Sequence, residues 1–176
     1  MRVLIVTGMP GAGKEELLNV ARYMDIPFVR MGDIVRDFHL TSGAAENGLS
    51  TAQVAVRERE AHGNDIWAKR AIERMSGDLF LVDGCRSMDE VASFRGLSDS
   101  VYIIGIHAPR EVRYDRLVNR GREDAPRDMT EFDGRDSREL GWGLGNVIAL
   151  SDIMIVNDSD LDSFRSKAKE ILEGLR

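Results

Sequence analysis

Apolar residues along this chain fall into short, nearly unbroken runs at Val3–Val6, Pro27–Val29, Leu79–Val82, Val101–Ile106 and Ile153–Val156. Runs of this kind suit parallel strands covered on both faces. Between the first two the period becomes helical, with Leu17, Val20, Ala21 and Met24 on one side. Similar patterning runs through Ile34–Leu40, the long Ala52–Met75 region and Val112–Val118. Near the end of the chain Leu161, Phe164, Ala168, Ile171, Leu172 and Leu175 form one stripe, the buried face of an amphipathic helix. Ser159 with Asp162 predicts a capping-box start for that helix, and Lys167 and Lys169 suit its later turns. Strand and helix alternate, which predicts a five-stranded parallel sheet with right-handed crossovers. Thr41–Ser50, rich in Gly, Ser and Asn, and Arg120–Asp133, rich in charge, read as mobile connecting loops. No repeat or low-complexity segment interrupts the pattern.

A length of 176 residues suits one domain spanning 1–176. Apolar residues make up 43% and charged residues 31%, which excludes a disordered or fibrous chain. The net charge of −6 argues against bulk nucleic-acid binding. Cys85 stands alone, so no internal disulfide is available and a reducing compartment fits. The apolar runs are too short to span a bilayer, and Met1–Val6 is shorter than the core of a signal peptide. The expected location is the cytoplasm, without a membrane partner. The basic residues are twenty arginines and four lysines, and eight of those arginines lie between Arg110 and Arg138 among eight acids. Arginine grips phosphate and carboxylate with a bidentate fork; a compositional bias on a solvated face is the alternative.

The first strand runs into Gly8-Met9-Pro10-Gly11-Ala12-Gly13-Lys14 ahead of a helix. That is the G-x-x-x-x-G-K phosphate loop in its strand–loop–helix setting. Its glycines turn backbone N–H groups toward phosphate oxygens, the helix start adds a positive dipole end, and Lys14 reaches the terminal phosphates of ATP. The spacing does not fit the G-x-G-x-x-G of dinucleotide-binding folds. The position after the lysine carries Glu15, where such loops place a Ser or Thr hydroxyl on Mg²⁺. Three readings of Glu15 stand side by side: a substitute metal ligand, a carboxylate that repels the nucleotide, or an acid favoured in the first turn of a helix. Leu79–Asp83 is an apolar strand ending in an acid, the pattern that presents a carboxylate to Mg²⁺ opposite the phosphate loop. The predicted fold class is therefore a P-loop NTPase: a three-layer α/β/α structure around a five-stranded parallel sheet.

Several segments resemble adenylate kinases and their relatives. Gly8–Lys14 has the G-x-P-G-x-G-K form of that family. Gly32-Asp33-Ile34-Val35-Arg36 resembles the G-D-x-x-R segment whose arginine holds the acceptor AMP phosphate, and Asp83-Gly84-Cys85-Arg86 resembles the D-G-F-P-R segment, shortened and without its proline. Arg116 and Arg120 resemble the lid pair, one against the ATP base and one on the phosphates, with Arg122 and Arg135 as a further lid cluster. Over its whole length the chain resembles an archaeal group called adenylate-kinase-related or dephospho-CoA-kinase-like, most closely at Met31–Arg36, Asp83–Ser87 and Glu139–Asn157. The resemblance implies a donor site for ATP at Gly8, Met9, Pro10, Gly11, Ala12, Gly13, Lys14, Glu15 and Arg116, with Mg²⁺ on Glu15 and Asp83. It implies an acceptor site at Asp33, Arg36, Asp83, Gly84 and Arg86, on a helical region of about 33–76. Lys14, Arg120, Arg122 and Arg135 would carry the transfer beneath a short lid of about 120–133.

The resulting expectation is an ATP-dependent phosphotransferase acting on a small nucleotide, most like a nucleoside monophosphate kinase, working as a monomer or homodimer. A hydroxyl acceptor, as in a dephospho-CoA or other small-molecule kinase, would add the need for a base such as Asp33; Asp33 equally suits a helix cap. A non-catalytic AMP- or ATP-binding regulator is the third reading, kept open by Glu15. His39, His62 and His107 lack metal-ligand spacing, and Cys85 reads as a small buried residue. Gly141–Gly145 is either a second anion loop with Trp142 stacking on its ligand or a close-packed helix junction.

Overall fold

The computed structural model describes residues 1–121 and 125–176. Among these residues five strands, β1 (Arg2–Thr7), β2 (Phe28–Arg30), β3 (Leu79–Asp83), β4 (Val101–His107) and β5 (Ile153–Val156), form one sheet in the order β2-β3-β1-β4-β5. Every pairing is parallel, with Val6 opposite Asp83 and Arg30 also opposite Asp83. All five strands fall where the apolar runs predict them.

Alternation along each strand divides the interior into two cores. Val3, Ile5, Phe80, Val82 and Ile103 point to one face. There they meet α2 (Met31–Thr41), α3 (Thr51–His62), α4 (Ile66–Ile72), α5 (Met88–Leu97) and α8 (Leu144–Ala149). Leu4, Val6, Leu81, Ile104 and Ile155 point to the other, under α1 (Lys14–Tyr23) and α9 (Leu161–Gly174). Both faces are covered at β1, β3 and β4, which is why those strands read as continuous apolar runs rather than alternating ones; at the edge strand β5, Met154 and Val156 stay exposed. Two further helices, α6 (Arg110–Asn119) and α7 (Met129–Gly141), complete the chain.

Three boundaries differ from the sequence expectation. The Ala52–Met75 region is two helices, because Gly63 at φ 98° ends α3, a backbone region that L side chains avoid. The last helix is capped by Asp160, which accepts from Ser163 N at 2.9 Å, rather than by Ser159. The 120–133 segment is not loop throughout: Asp128 accepts from Glu131 N while Glu131 accepts from Arg127 N, and this reciprocal pair starts α7 at Met129. Gly141–Gly145 is a helix junction, with Gly143 at φ 99° opening α8. Among the described residues no helix is long and apolar enough to cross a membrane.

Candidate active site

The C-terminal ends of β1, β2 and β3 and the loops after them open into one cleft of about 510 Å³, the edge at which parallel α/β sheets place their ligands. Gly8, Pro10, Gly11, Gly13 and Lys14 line one side of it. Close approach demands the glycines: a Cβ on Gly11 would meet the Arg113 carbonyl at 2.6 Å, and its φ of 81° is one that side chains disfavour. Lys14 Nζ donates to Gly8 O at 2.5 Å and to Met9 O at 3.3 Å, folded over its own loop. Burial lowers the Lys14 pKa, against the pull of the Asp83 and Glu139 carboxylates. Met9 and Ala12 do not line the cleft; they belong to the loop's backbone and packing.

The loop is held from behind by two residues that sequence reasoning did not single out. Arg113 is almost fully buried, donates to Pro10 O at 3.0 Å and forms a two-pronged ion pair with Asp136 of α7. Asn157, at the end of β5, donates to Ala12 O at 2.8 Å while its Oδ1 accepts from Arg116. Arg116 thus stands beside the loop, its pKa lowered by burial. The signals for both were present, an arginine one turn before Arg116 and an Asn ending a strand. Their partners lie 103 and 145 residues away, so nothing local pointed to them.

Asp83 ends β3 beside the phosphate loop, and its Oδ1 is buried without a hydrogen-bond partner among the described residues. Burial raises its pKa even though Lys14, Arg30 and Arg86 pull the other way. A buried carboxylate oxygen left unsatisfied is a suitable donor for a hard cation such as Mg²⁺. Glu15 lines the same cleft but forms an ion pair with Arg30 at 2.5 Å, a partner that none of the three sequence readings contained.

Arg36, Gly84 and Arg86 line the cleft as well. Asp33 lies outside the lining and pairs with Arg36. It does not cap α2, whose first residue follows Arg30 without a side-chain cap. Arg86 donates through Nε to Glu139 at 2.8 Å, and its backbone N–H donates to Glu90 at 2.6 Å. Glu90 is fully buried and pairs with Arg59 of α3. The guanidinium carbons of Arg59 and Arg86 lie 5.7 and 5.2 Å from the Trp142 ring centroid, so Trp142 is committed to two arginines of the protein itself. Glu139 and Glu90 were not among the expected site residues; Trp142 was expected either to stack on a ligand or to pack in a helix junction, and it lies against these two arginines.

Arg120 and Arg135 also face the cleft, whereas Arg122 lies outside the described residues. Cys85 is fully buried, as a small packed residue, and burial pushes its thiol pKa well up. Among the described residues seven cationic side chains and four carboxylates line the cleft of a chain whose net charge is −6.

Comparison with known proteins bears on the family and the fold. The family model described as an AAA domain matches residues 7–132. A UPF0200 protein of Thermoplasma volcanium is 42% identical over 171 residues, covering 97% of this chain and 96% of its own. This chain belongs to the UPF0200 family. Among solved structures, shikimate kinase from Bacteroides thetaiotaomicron superposes with a TM-score of 0.59 at 20% identity, covering 98% of both chains. A gluconokinase from Sinorhizobium meliloti gives a TM-score of 0.61 at 14% identity, covering 99% of this chain and 93% of its own. At those identities the likeness is one of fold, and the fold of this UPF0200 protein is that of the P-loop kinases.

Proposed function

We propose that this UPF0200 protein is an ATP-dependent phosphotransferase acting on a small phosphorylated acceptor of the nucleoside monophosphate type. The observation that carries the reading is the sharing of one cleft by the Gly8–Lys14 loop and by Arg36 and Arg86. A protein that only hydrolysed ATP would have no use for that second cationic wall. In this reading the loop amides and Lys14 hold the donor phosphates, Lys14 turning from Gly8 O to a phosphate oxygen. Arg116 lies along the base, and Arg36 and Arg86 hold the acceptor phosphate. An ionised acceptor oxygen attacks the γ-phosphorus, the bond to the β,γ-bridging oxygen breaks, and ADP leaves. The nucleophile is already anionic, so no general base is needed. Arg120 and Arg135, with Arg122 from the adjoining segment, neutralise charge on the transferring group. Mg²⁺, with Asp83 as its protein partner, would supply further charge neutralisation across the donor phosphates.

One observation favours a second reading. Glu139 places a carboxylate in the cleft beside Arg86, where a base for a hydroxyl acceptor would be wanted. This is a better position than that of Asp33, which pairs with Arg36 outside the lining. A coupled-product assay with Mg²⁺-ATP against AMP, CMP, UMP, GMP and dephospho-CoA separates the two, with Lys14→Ala as the blank. Conversion of a monophosphate, lost in the blank, is the expected result. Conversion of dephospho-CoA alone would favour the hydroxyl reading. ATP binding with no turnover of any acceptor would sink both and leave a nucleotide-binding regulator.

A further inference from the structure

The ion pair between Glu15 and Arg30 joins the first turn of α1 to the last residue of β2. Both side chains line the cleft. The pair is half-shielded, with side-chain exposures of 42% for Glu15 and 22% for Arg30, so it is more than a solvated surface contact.

Position gives it meaning. Arg30 lies in register with Asp83 on the neighbouring strand, and it immediately precedes α2, the helix that carries Arg36. Arg30 Nε is buried and has no hydrogen-bond partner among the described residues, as is true of Asp83 Oδ1. Two adjacent strand ends that line the same cleft therefore each hold a buried polar atom, one a donor and one an acceptor, with no partner among the described residues. Buried polar atoms left in this state are commonly completed by a ligand or ion. An anionic oxygen suits the guanidinium and a cation suits the carboxylate.

A carboxylate directly after the phosphate-loop lysine would by itself oppose a polyphosphate. Pairing with Arg30 cancels that charge and fixes the guanidinium, since one nitrogen held by Glu15 leaves the remaining donors of a rigid fork in a set direction. We propose that Glu15 is a positioning residue for Arg30, and that Arg30 is a third guanidinium of the acceptor subsite, binding an acceptor phosphate oxygen beside Asp83. This rests on the phosphotransferase reading above. Glu15 then has a role unlike that of the hydroxyl it replaces: it orients an arginine, and Asp83 is left as the carboxylate that faces the metal.

Calorimetric titration of the full chain with AMP, without ATP, tests the arginine; Mn²⁺ binding to the ADP complex, read by electron paramagnetic resonance, tests the carboxylate. Arg30→Ala should weaken AMP binding about tenfold or more. Arg30→Lys, which keeps the charge and guards against misfolding, should recover part of the loss. Glu15→Gln should weaken AMP binding several-fold and leave Mn²⁺ affinity within about twofold, while Asp83→Asn should lower Mn²⁺ affinity about tenfold or more. Wild-type AMP affinity in both Arg30 variants would overturn the proposal and leave the acceptor reading intact. So would a loss of Mn²⁺ in Glu15→Gln equal to that in Asp83→Asn, because Glu15 would then be a metal ligand. A wild-type protein that binds ADP but not AMP would remove the acceptor reading first, and this proposal with it.

Discussion

Lys14 shows how a single side chain can weaken a fold it serves. Its ammonium is placed where burial disfavours the charged form, and the nearby carboxylates Asp83 and Glu139 do not fully offset that cost. The folded-state pKa is therefore below the unfolded value of 10.5. In the window between those two values the unfolded chain binds more protons, so stability rises with pH. Below the folded-state pKa the cost is fully present; above 10.5 it is gone. Lys14→Met is therefore expected to melt higher than wild type at pH 7.5, with the gap closing as pH climbs. Paired thermal melts across that range check the sign, and a variant that melts lower throughout would show Lys14 to be a net stabiliser.

Helices α6 and α7 illustrate what was and was not legible at the level of elements. The central strands announced themselves because they are covered on both faces, β5 because it is apolar even where Met154 and Val156 are exposed, and the phosphate loop because its spacing is strict. The first residues of α7, up to Asp133, read as part of a charge-rich loop because only Phe132 in this helix is fully buried. Its attachment comes from Arg110–Asp133 and Arg113–Asp136, and pairings 23 residues apart carry no local periodicity. Helix α5 was missed although Ser87 and Glu90 mark its start. The site shows the same division: Lys14, Arg36, Asp83 and Arg86 sit in short motifs. Glu139, Asn157 and the Glu15–Arg30 pair emerge only once the strand order brings distant segments together.

The Arg113–Asp136 pair ties α7, and with it Arg135 and Glu139, to the back of the phosphate loop at Pro10. Removing one member leaves a buried charge without its partner, which costs about 3 kcal/mol or more. Asp136→Asn is thus expected to lower the melting temperature by roughly 6–12 °C, taking about 2–4 °C per kcal/mol for a chain of this size. Asp133→Asn, which breaks the exposed Arg110 pair, should melt close to wild type. Equal effects from the two substitutions would mean that the loop does not depend on the buried clamp.

For the molecule as a whole, the decisive contrast is between an acidic chain and a cationic cleft. Among the described residues seven basic side chains and four carboxylates surround about 510 Å³, within a protein of net charge −6. Several of them are held by partners that a ligand would have to share or replace: Lys14 by its own loop, Arg86 by Glu139, Arg116 by Asn157. Such an arrangement concentrates like charge in the cleft, and on the proposed function a bound polyphosphate would relieve it. Mg²⁺-ATP at a hundred times its Kd should therefore stabilise the fold by about 2.7 kcal/mol, a rise of roughly 5–10 °C in melting temperature. Because the attraction is between charges, the Kd itself should weaken as salt rises from 0.02 to 0.5 M, over which the Debye length shrinks from about 20 to about 4 Å. At fixed ATP the thermal shift should shrink accordingly, and Lys14→Ala should show little shift at either salt. A shift of the same size at both salt concentrations would mean that shape and apolar contact with the base, rather than the cationic wall, hold the nucleotide.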